Sequence, residues 1–317
     1  MATSASVDFD QTRNEIINDA LILCGAIEAG DVSVATEDTD YAARQLNRMV
    51  KAFQADGVRL WTRRVAYLFL DKSQGKYTLG PNSTDHAAEL DDAVNTELSA
   101  AAASGASVVS LDSVTGIAVS DNIGVVLDDD TIDWDTVQSI SSLDITLTGT
   151  LSGAAAVDQP VFAYTTKIGR PLRVIEVART DKAALDTPIA MISDNEYQRL
   201  PNKTITGKTN ECFYSPERPD GFLYAWPEPE TAADRLRLTC LFQIEDFDTS
   251  AHNPDLPQEW LDCLVWNLAK KLSPTYGVPK DLRDEIRLEA AILYEAASGW
   301  DRDPEGTSFA PDMTWGS

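Results

Sequence analysis

The sequence predicts an α+β protein: a discontinuous helical host domain, built from N- and C-terminal helical hairpins with short strands, that carries a small inserted all-β barrel or sandwich domain. Three observations predict it. Long amphipathic stripes of helical period occur near the two ends of the chain. Short β-rich runs separated by Gly, Asp and Ser turns fill the middle. Within the middle the charge changes abruptly, since between Tyr77 and Thr166 there is no Lys or Arg while Asp and Glu occur 14 times. A composition shift of that kind marks a domain boundary. The expected division is 1–95 with 165–300 as the host, 96–164 as the acidic insertion and 301–317 as an extended tail.

The first helix is expected from about Asp10 to Ile27, with Ile16, Ile17, Ala20, Leu21, Cys24 and Ile27 on one face. Thr12 and Glu15 have capping-box spacing, and Asp8 with Gln11 is an equal alternative. The second stripe is Ala42, Leu46, Met49 and Phe53, spaced four, three and four. Thr36 is placed to cap this helix, Glu37 and Asp38 suit its dipole, and Gly57 is placed to end it. RVAYLFL, a KSQGK turn and Tyr77–Leu79 read as a β-hairpin. In the acidic block SVVSLDSV, NIGVVLD, TIDWDTVQSI, DITLTGTL and PVFAY read as strands.

Beyond Lys167 the runs RVIEVART, TPIAMIS, ECFYSP, GFLYAWPEP and RLRLTCLFQIE are strand-like, and DNEYQRLP reads as a short helix with Asp194 near its cap. PQEWLDCLVWNLAKKL places Leu261, Leu264, Val265, Leu268 and Leu272 on one helical face, with Pro257 at its start. Gly277, Val278 and Pro279 break it. A last helix from about Lys280 to Trp300 carries Ile286, Ala290, Leu293, Ala297 and Trp300, the spacing of a packing seam.

Charge restricts the function. The 317 residues hold 51 Asp plus Glu against 26 Lys plus Arg, a net charge of −25, which opposes counterion-release binding to nucleic acid and attraction to anionic membranes. The first residues have no basic segment followed by an apolar run, and no apolar stretch approaches the length of a membrane span, so neither a secretory leader nor a membrane partner is expected. Cys24, Cys212, Cys240 and Cys263 lack CxxC spacing and read as buried free thiols.

Catalytic motifs are sparse. The chain has no GxxxxGK[ST], no strand-linked GxGxxG, no GxSxG and no HExxH, and its two histidines, His86 and His252, read as solvated loop residues. Asp128, Asp129 and Asp130 read as a hairpin tip, because they lack the spacing of a calcium loop. Trp226, Pro227, Pro229 and Tyr224 read as an aromatic strand edge rather than a sugar-stacking platform. The abundance of carboxylates supplies pairs by chance, so a glycosidase remains a competing class. No catalytic, cofactor-binding or metal residue is assigned.

The segments LNRMVKAFQADGVRLWTRR, KYTLGP, TTKIGRPLRV, ISDNEYQRLPNKT, LYAWPEP and EDFDTSAHNPDLPQEWLDCLVWNLAKKLSPTYGVP, in this order, resemble the head-to-tail adaptor proteins of short-tailed bacteriophages, also called packaged-DNA stabilisation proteins or tail accessory factors. The resemblance covers most of residues 10–300. It implies a structural, non-enzymatic protein of the virion head–tail junction, made in the host cytoplasm. Its implied partners are the portal protein, the tail nozzle or next tail component, and further copies of itself in a ring of 12. It also implies passage of genomic DNA through the ring without sequence-specific binding. It carries over no catalytic, cofactor or metal residues. Phe309, Met313 and Trp315 in the tail are expected at a portal or inter-subunit contact, because apolar side chains in so polar a segment lack a core of their own. The alternative is a tail-associated cell-wall glycan hydrolase.

Overall fold

The structure is a computed structural model that describes residues 9–28, 35–56 and 62–300. It is mixed α+β with curled sheets. Helices α1 (Arg13–Leu23) and α2 (Thr36–Asp56) come first. Strands follow: β1 (Arg63–Phe69), β2 (Lys76–Leu79), β3 (Ala87–Glu89), β4 (Val94–Glu97), β5 (Val108–Ser110), β6 (Asn122–Val126), β7 (Ile132–Ser141), β8 (Asp144–Leu147), β9 (Pro160–Tyr164), β10 (Arg173–Thr180) and β11 (Asp186–Met191). After helix α3 (Asp194–Arg199) come β12 (Thr206–Gly207), β13 (Glu211–Ser215), β14 (Gly221–Trp226), β15 (Glu228–Pro229) and β16 (Arg235–Leu241), and the chain ends in α4 (Leu261–Leu272) and α5 (Lys280–Trp300).

The chain forms two compact units, Met1–Trp61 with Ile244–Ser317, and Thr62–Gln243. The segments 62–95 and 165–243, which the sequence reading joins to the helices, therefore fall in one unit with the acidic insertion.

The helical unit brings α1 and α2 into one core with α4 and α5. Of the two candidate starts for α1, Thr12 is used: its side chain accepts the Glu15 N–H and the Glu15 carboxylate accepts the Thr12 N–H. The helix is shorter than expected because Gly25, at φ 64°, takes the left-handed position. Gly25 and Ala26 donate back to the Ile22 and Leu21 carbonyls, which closes the last turn. At the other end, Arg13 and Asn14 donate their backbone N–H groups to the carbonyls of His252 and Ser250, so a loop from the far part of the chain serves donors that no earlier turn can satisfy. For α2, Thr36 is the first helical residue and not the cap; the Ala35 carbonyl takes the Asp38 and Thr39 N–H groups. Gly57 lies outside the described residues.

Helix α4 is the centre of this unit. The sequence shows one apolar face, but Cys263 and Ala269 are buried as well as Leu261, Leu264, Val265, Leu268 and Leu272, because α1, α2 and α5 all pack on it. Phe53 of α2 lies 6.0 Å from the Trp260 ring and 4.9 Å from the Tyr294 ring of α5. Buried Asn267 donates to the carbonyls of Cys263 and Ala290, which ties α4 to α5. Ile286, Ala290 and Ala297 of the expected seam are buried. The Trp300 side chain lies outside the description.

In the β unit, eight strands follow the order β2-β14-β13-β11-β10-β16-β1-β3. The expected β1–β2 hairpin does not form. β1 pairs with β16 and β3, while β2 pairs with β14 at the far edge. The seven steps from Phe69 to Lys76 can span at most roughly 25 Å, whereas six strand spacings on a flat sheet would need roughly 29 Å. The sheet must therefore curl, and Ala66, Leu68, Tyr77, Leu79, Leu223, Leu236 and Leu238 fill its inside. The exposed edge of β2 is met by the 80–86 loop, where Asp85 accepts the Thr78 N–H at 2.6 Å and Ser83 donates to the Thr78 carbonyl at 2.7 Å.

The second sheet has the order β4-β9-β6-β7-β8-β5. All five strand runs expected in the acidic block are present, and β4 adds a sixth that its polar sequence, VNTE, does not signal. Beyond β4 and β5, Leu98 bridges Leu111, and Ser99 and Asp112 donate to the Ser110 and Glu97 carbonyls. The two edge strands thus meet, which removes open edges. Phe162, Tyr164 and Val126 of this sheet form a shared cluster with Phe69 and Ala88 of the eight-stranded one.

Candidate functional site

The most organised group of chemistry-bearing side chains lies in that shared cluster. His86, just before β3, stacks on Trp134 of β7 with ring centroids 3.8 Å apart and planes 2° from parallel. Its Nδ1 shares a 2.6 Å hydrogen bond with the Tyr164 hydroxyl of β9. Phe69 packs on Trp134, Phe162 and Tyr164 at 5.3, 5.0 and 5.8 Å. The Arg235 guanidinium sits 4.7 Å from the Tyr67 ring and 5.6 Å from that of Phe162, an attraction to the aromatic faces. Opposite Trp134 in the ladder is Gly124; a Cβ there would stand 2.8 Å from both the Ile132 and Trp134 side chains. The absent side chain is what lets the indole lie flat.

The environment fixes the protonation of this group. Burial, then the nearby Lys167 ammonium, pushes the His86 pKa down to about 3, while burial and the Asp92 carboxylate raise that of Tyr164. A neutral imidazole and a protonated phenol make a connector between the two sheets. They lack the poise near neutral pH that general acid–base work requires. The reading of His86 as a solvated loop residue is therefore corrected: the residues before it are polar, but its ring faces strands far along the chain.

The other singled-out residues are accounted for locally. His252 is exposed in its loop. Asp128, Asp129 and Asp130 turn the chain from β6 into β7: Asp130 takes φ 68°, Asp129 accepts from the Thr131 N–H and hydroxyl, and Asp128 accepts the Ala156 N–H. Asp130 also lies 3.5 Å from Lys72. Among the described residues, no group of three His, Cys, Asp or Glu side chains is placed to hold a metal ion. All four cysteines are free and buried, and burial pushes their thiols up to about 11 for Cys24 and about 12 for the other three.

The aromatic strand edge is packed from within. Tyr224 lies 5.7 Å from Phe213 and 5.1 Å from Tyr197, which α3 lays over both. The Trp226 Nε1 donates to the Asn202 carbonyl at 2.8 Å, and Lys76 sits 3.8 Å above the Phe222 ring. Ser193 caps α3 in a capping box with Glu196, and Asp194, expected near the cap, is the first helical residue. An open groove of about 550 Å³ along β10, β11 and β16 is lined by Ile175, Ile189 and Met191, with the 2.9 Å Arg237–Asp186 ion pair beside them. It contains no nucleophile paired with a base. Phe309, Met313 and Trp315 lie outside the described residues. Among those residues, no helix is long and apolar enough to cross a membrane.

Comparison with known proteins identifies no family. No family model matches the chain, and no curated protein matches it. Among solved structures, VP17, a capsid protein of bacteriophage P23-77, is similar at 11% identity over 59% of this chain and 77% of that one. Its TM-score is 0.12, and that likeness carries no argument about fold or function.

Proposed function

We propose that this protein is a structural head-to-tail adaptor of a short-tailed bacteriophage. In this reading it is not an enzyme. Copies form a ring, twelve in the family the sequence resembles, beneath the portal protein. The ring continues the DNA channel, helps retain the packaged genome and docks the tail nozzle or next tail component. The architecture that goes with it is a discontinuous helical host bearing an inserted barrel.

The observation that carries the reading is the ordered set of family-like segments along the chain. Its support in three dimensions is that segments from opposite ends of the sequence converge. Asn47, in the LNRMVKAFQADGVRLW stretch, accepts the Phe247 N–H at 2.9 Å and donates to the Phe247 carbonyl at 3.4 Å. Lys51 of the same stretch pairs with Asp246 at 3.0 Å. Phe247 and Asp246 belong to the EDFDTSAHNPD stretch, so what looks like two motifs is one joined element. In the TTKIGRP stretch, Ile168 enters the core of the curled sheet and the Pro171 carbonyl accepts the Tyr214 hydroxyl.

Mass measurement of the purified chain, alone and mixed with portal protein, tests the proposal. A defined ring that joins portal is the expected result. A monomer that ignores portal would overturn this reading, and muralytic activity lost on substitution of one carboxylate would replace it with the hydrolase.

A further inference from the structure

In a chain of net charge −25, the helical unit gathers four cations that form no ion pair with another described residue. Arg44 and Arg48 are one turn apart on α2 and therefore share a face. Lys270 and Lys271 end α4, which packs against α2. All four side chains are exposed. None takes part in an ion pair among the described residues, although Lys51, three positions beyond Arg48, is paired with Asp246. The charges feel one another: burial first, then Arg48 and Lys270, lower the Lys271 pKa. Trp266, one turn before Lys270, is only partly buried and adds an apolar neighbour.

Like charges gathered without partners repel, and an incoming acidic surface would relieve that cost. We propose that this patch receives the acidic insertion of a second copy of the chain, and so forms one of the contacts between neighbouring subunits. The inference deepens the ring reading and rests on it. The partner is chosen by charge: the 77–166 segment carries 14 acids and no Lys or Arg. Glu97 and Asp112 of that segment lie side by side, the Asp112 N–H donating to the Glu97 carbonyl at 3.0 Å. A nucleic acid offers the same kind of charge and is an arm of the test, but every copy of the chain brings its own acidic segment at a fixed place in the fold. A patch on one unit meeting a different patch on the next is a heterologous contact, the kind that closes rings.

The test is the mass distribution of the full chain at low and high salt, for wild type and three variants whose folding is checked by circular dichroism. Arg48→Glu with Lys271→Glu should weaken self-association by at least about tenfold, as should Glu97→Lys with Asp112→Lys, and Arg48→Gln with Lys271→Gln should weaken it less. Mixing the two charge-reversed proteins should restore association through the swapped pair. If wild type forms a ring and these folded variants form it equally well, the patch is not the contact, and the ring reading stands without it. If wild type stays monomeric with and without portal protein, the ring reading itself fails. If duplex DNA binds wild type in a salt-sensitive manner and the Arg48/Lys271 reversal abolishes it, the partner is phosphate and the proposal is overturned.

Discussion

Acid should loosen the junction between the two sheets through His86. The ring is held neutral, with a folded-state pKa near 3 against an ordinary 6.5. Between those values the unfolded chain binds a proton that the folded one refuses. The stability this group contributes is therefore fully present above pH 6.5 and is lost progressively as pH falls towards 3. Going from about pH 7 to about pH 5, the full shift would remove about 1.9 kcal/mol, and because His86 is only partly buried the expected loss is about 1–2 kcal/mol. The low-pKa carboxylates Glu15, Asp129 and Glu196 have ordinary values of 3.8–4.5, so their stabilising effect is lost mainly below this window. His86→Gln supplies an amide that does not titrate, and His252→Asn in both proteins removes the other histidine. Urea unfolding at the two pH values should show the protein that keeps His86 losing about 1–2 kcal/mol more than the His86→Gln variant. Equal losses in both would refute the account of a buried neutral imidazole.

Other consequences follow from the same packing. Leu268→Ala, at a fully buried position where α4 meets its neighbours, should cost about 2–5 kcal/mol in chemical denaturation. Gly124→Ala should push Trp134 off His86, seen as a changed near-ultraviolet dichroism and a His86 pKa that moves back towards 6.5 in a histidine-ring titration. Were 96–164 an autonomous insertion, it could be excised for a short linker without harm. The structure predicts otherwise, since removal uncovers Phe69 and Ala88, and the deleted protein should unfold at a lower urea concentration than the full chain. In the adaptor reading, truncation after Trp300 should leave a folded subunit that no longer assembles stably on portal, measured by mass; unchanged assembly would place the contact elsewhere.

The sequence by itself determined the elements whose signals are local. Helical periodicity marked α2, α4 and α5, because a repeat of three and four residues puts apolar side chains on one face whatever lies opposite. The capping-box spacing of Thr12 and Glu15 and the aspartate turn after β6 are likewise interactions among near neighbours in the chain, although the choice of Thr12 over Asp8 was the structure's. Tertiary structure decided what those elements join. KSQGK has the composition of a hairpin turn, yet β1 and β2 lie near opposite ends of the strand order, because the alternation of a strand says which face is buried and not which strand lies beside it. His86 was illegible for the same reason: the stacked Trp134, the bonded Tyr164 and the glycine that makes room for them come from strands as far as 78 residues away. The basic cluster, too, exists only where α2 packs on α4. Charge counted along the chain shows an acid excess at both ends, and only the fold brings Arg48 within range of Lys271.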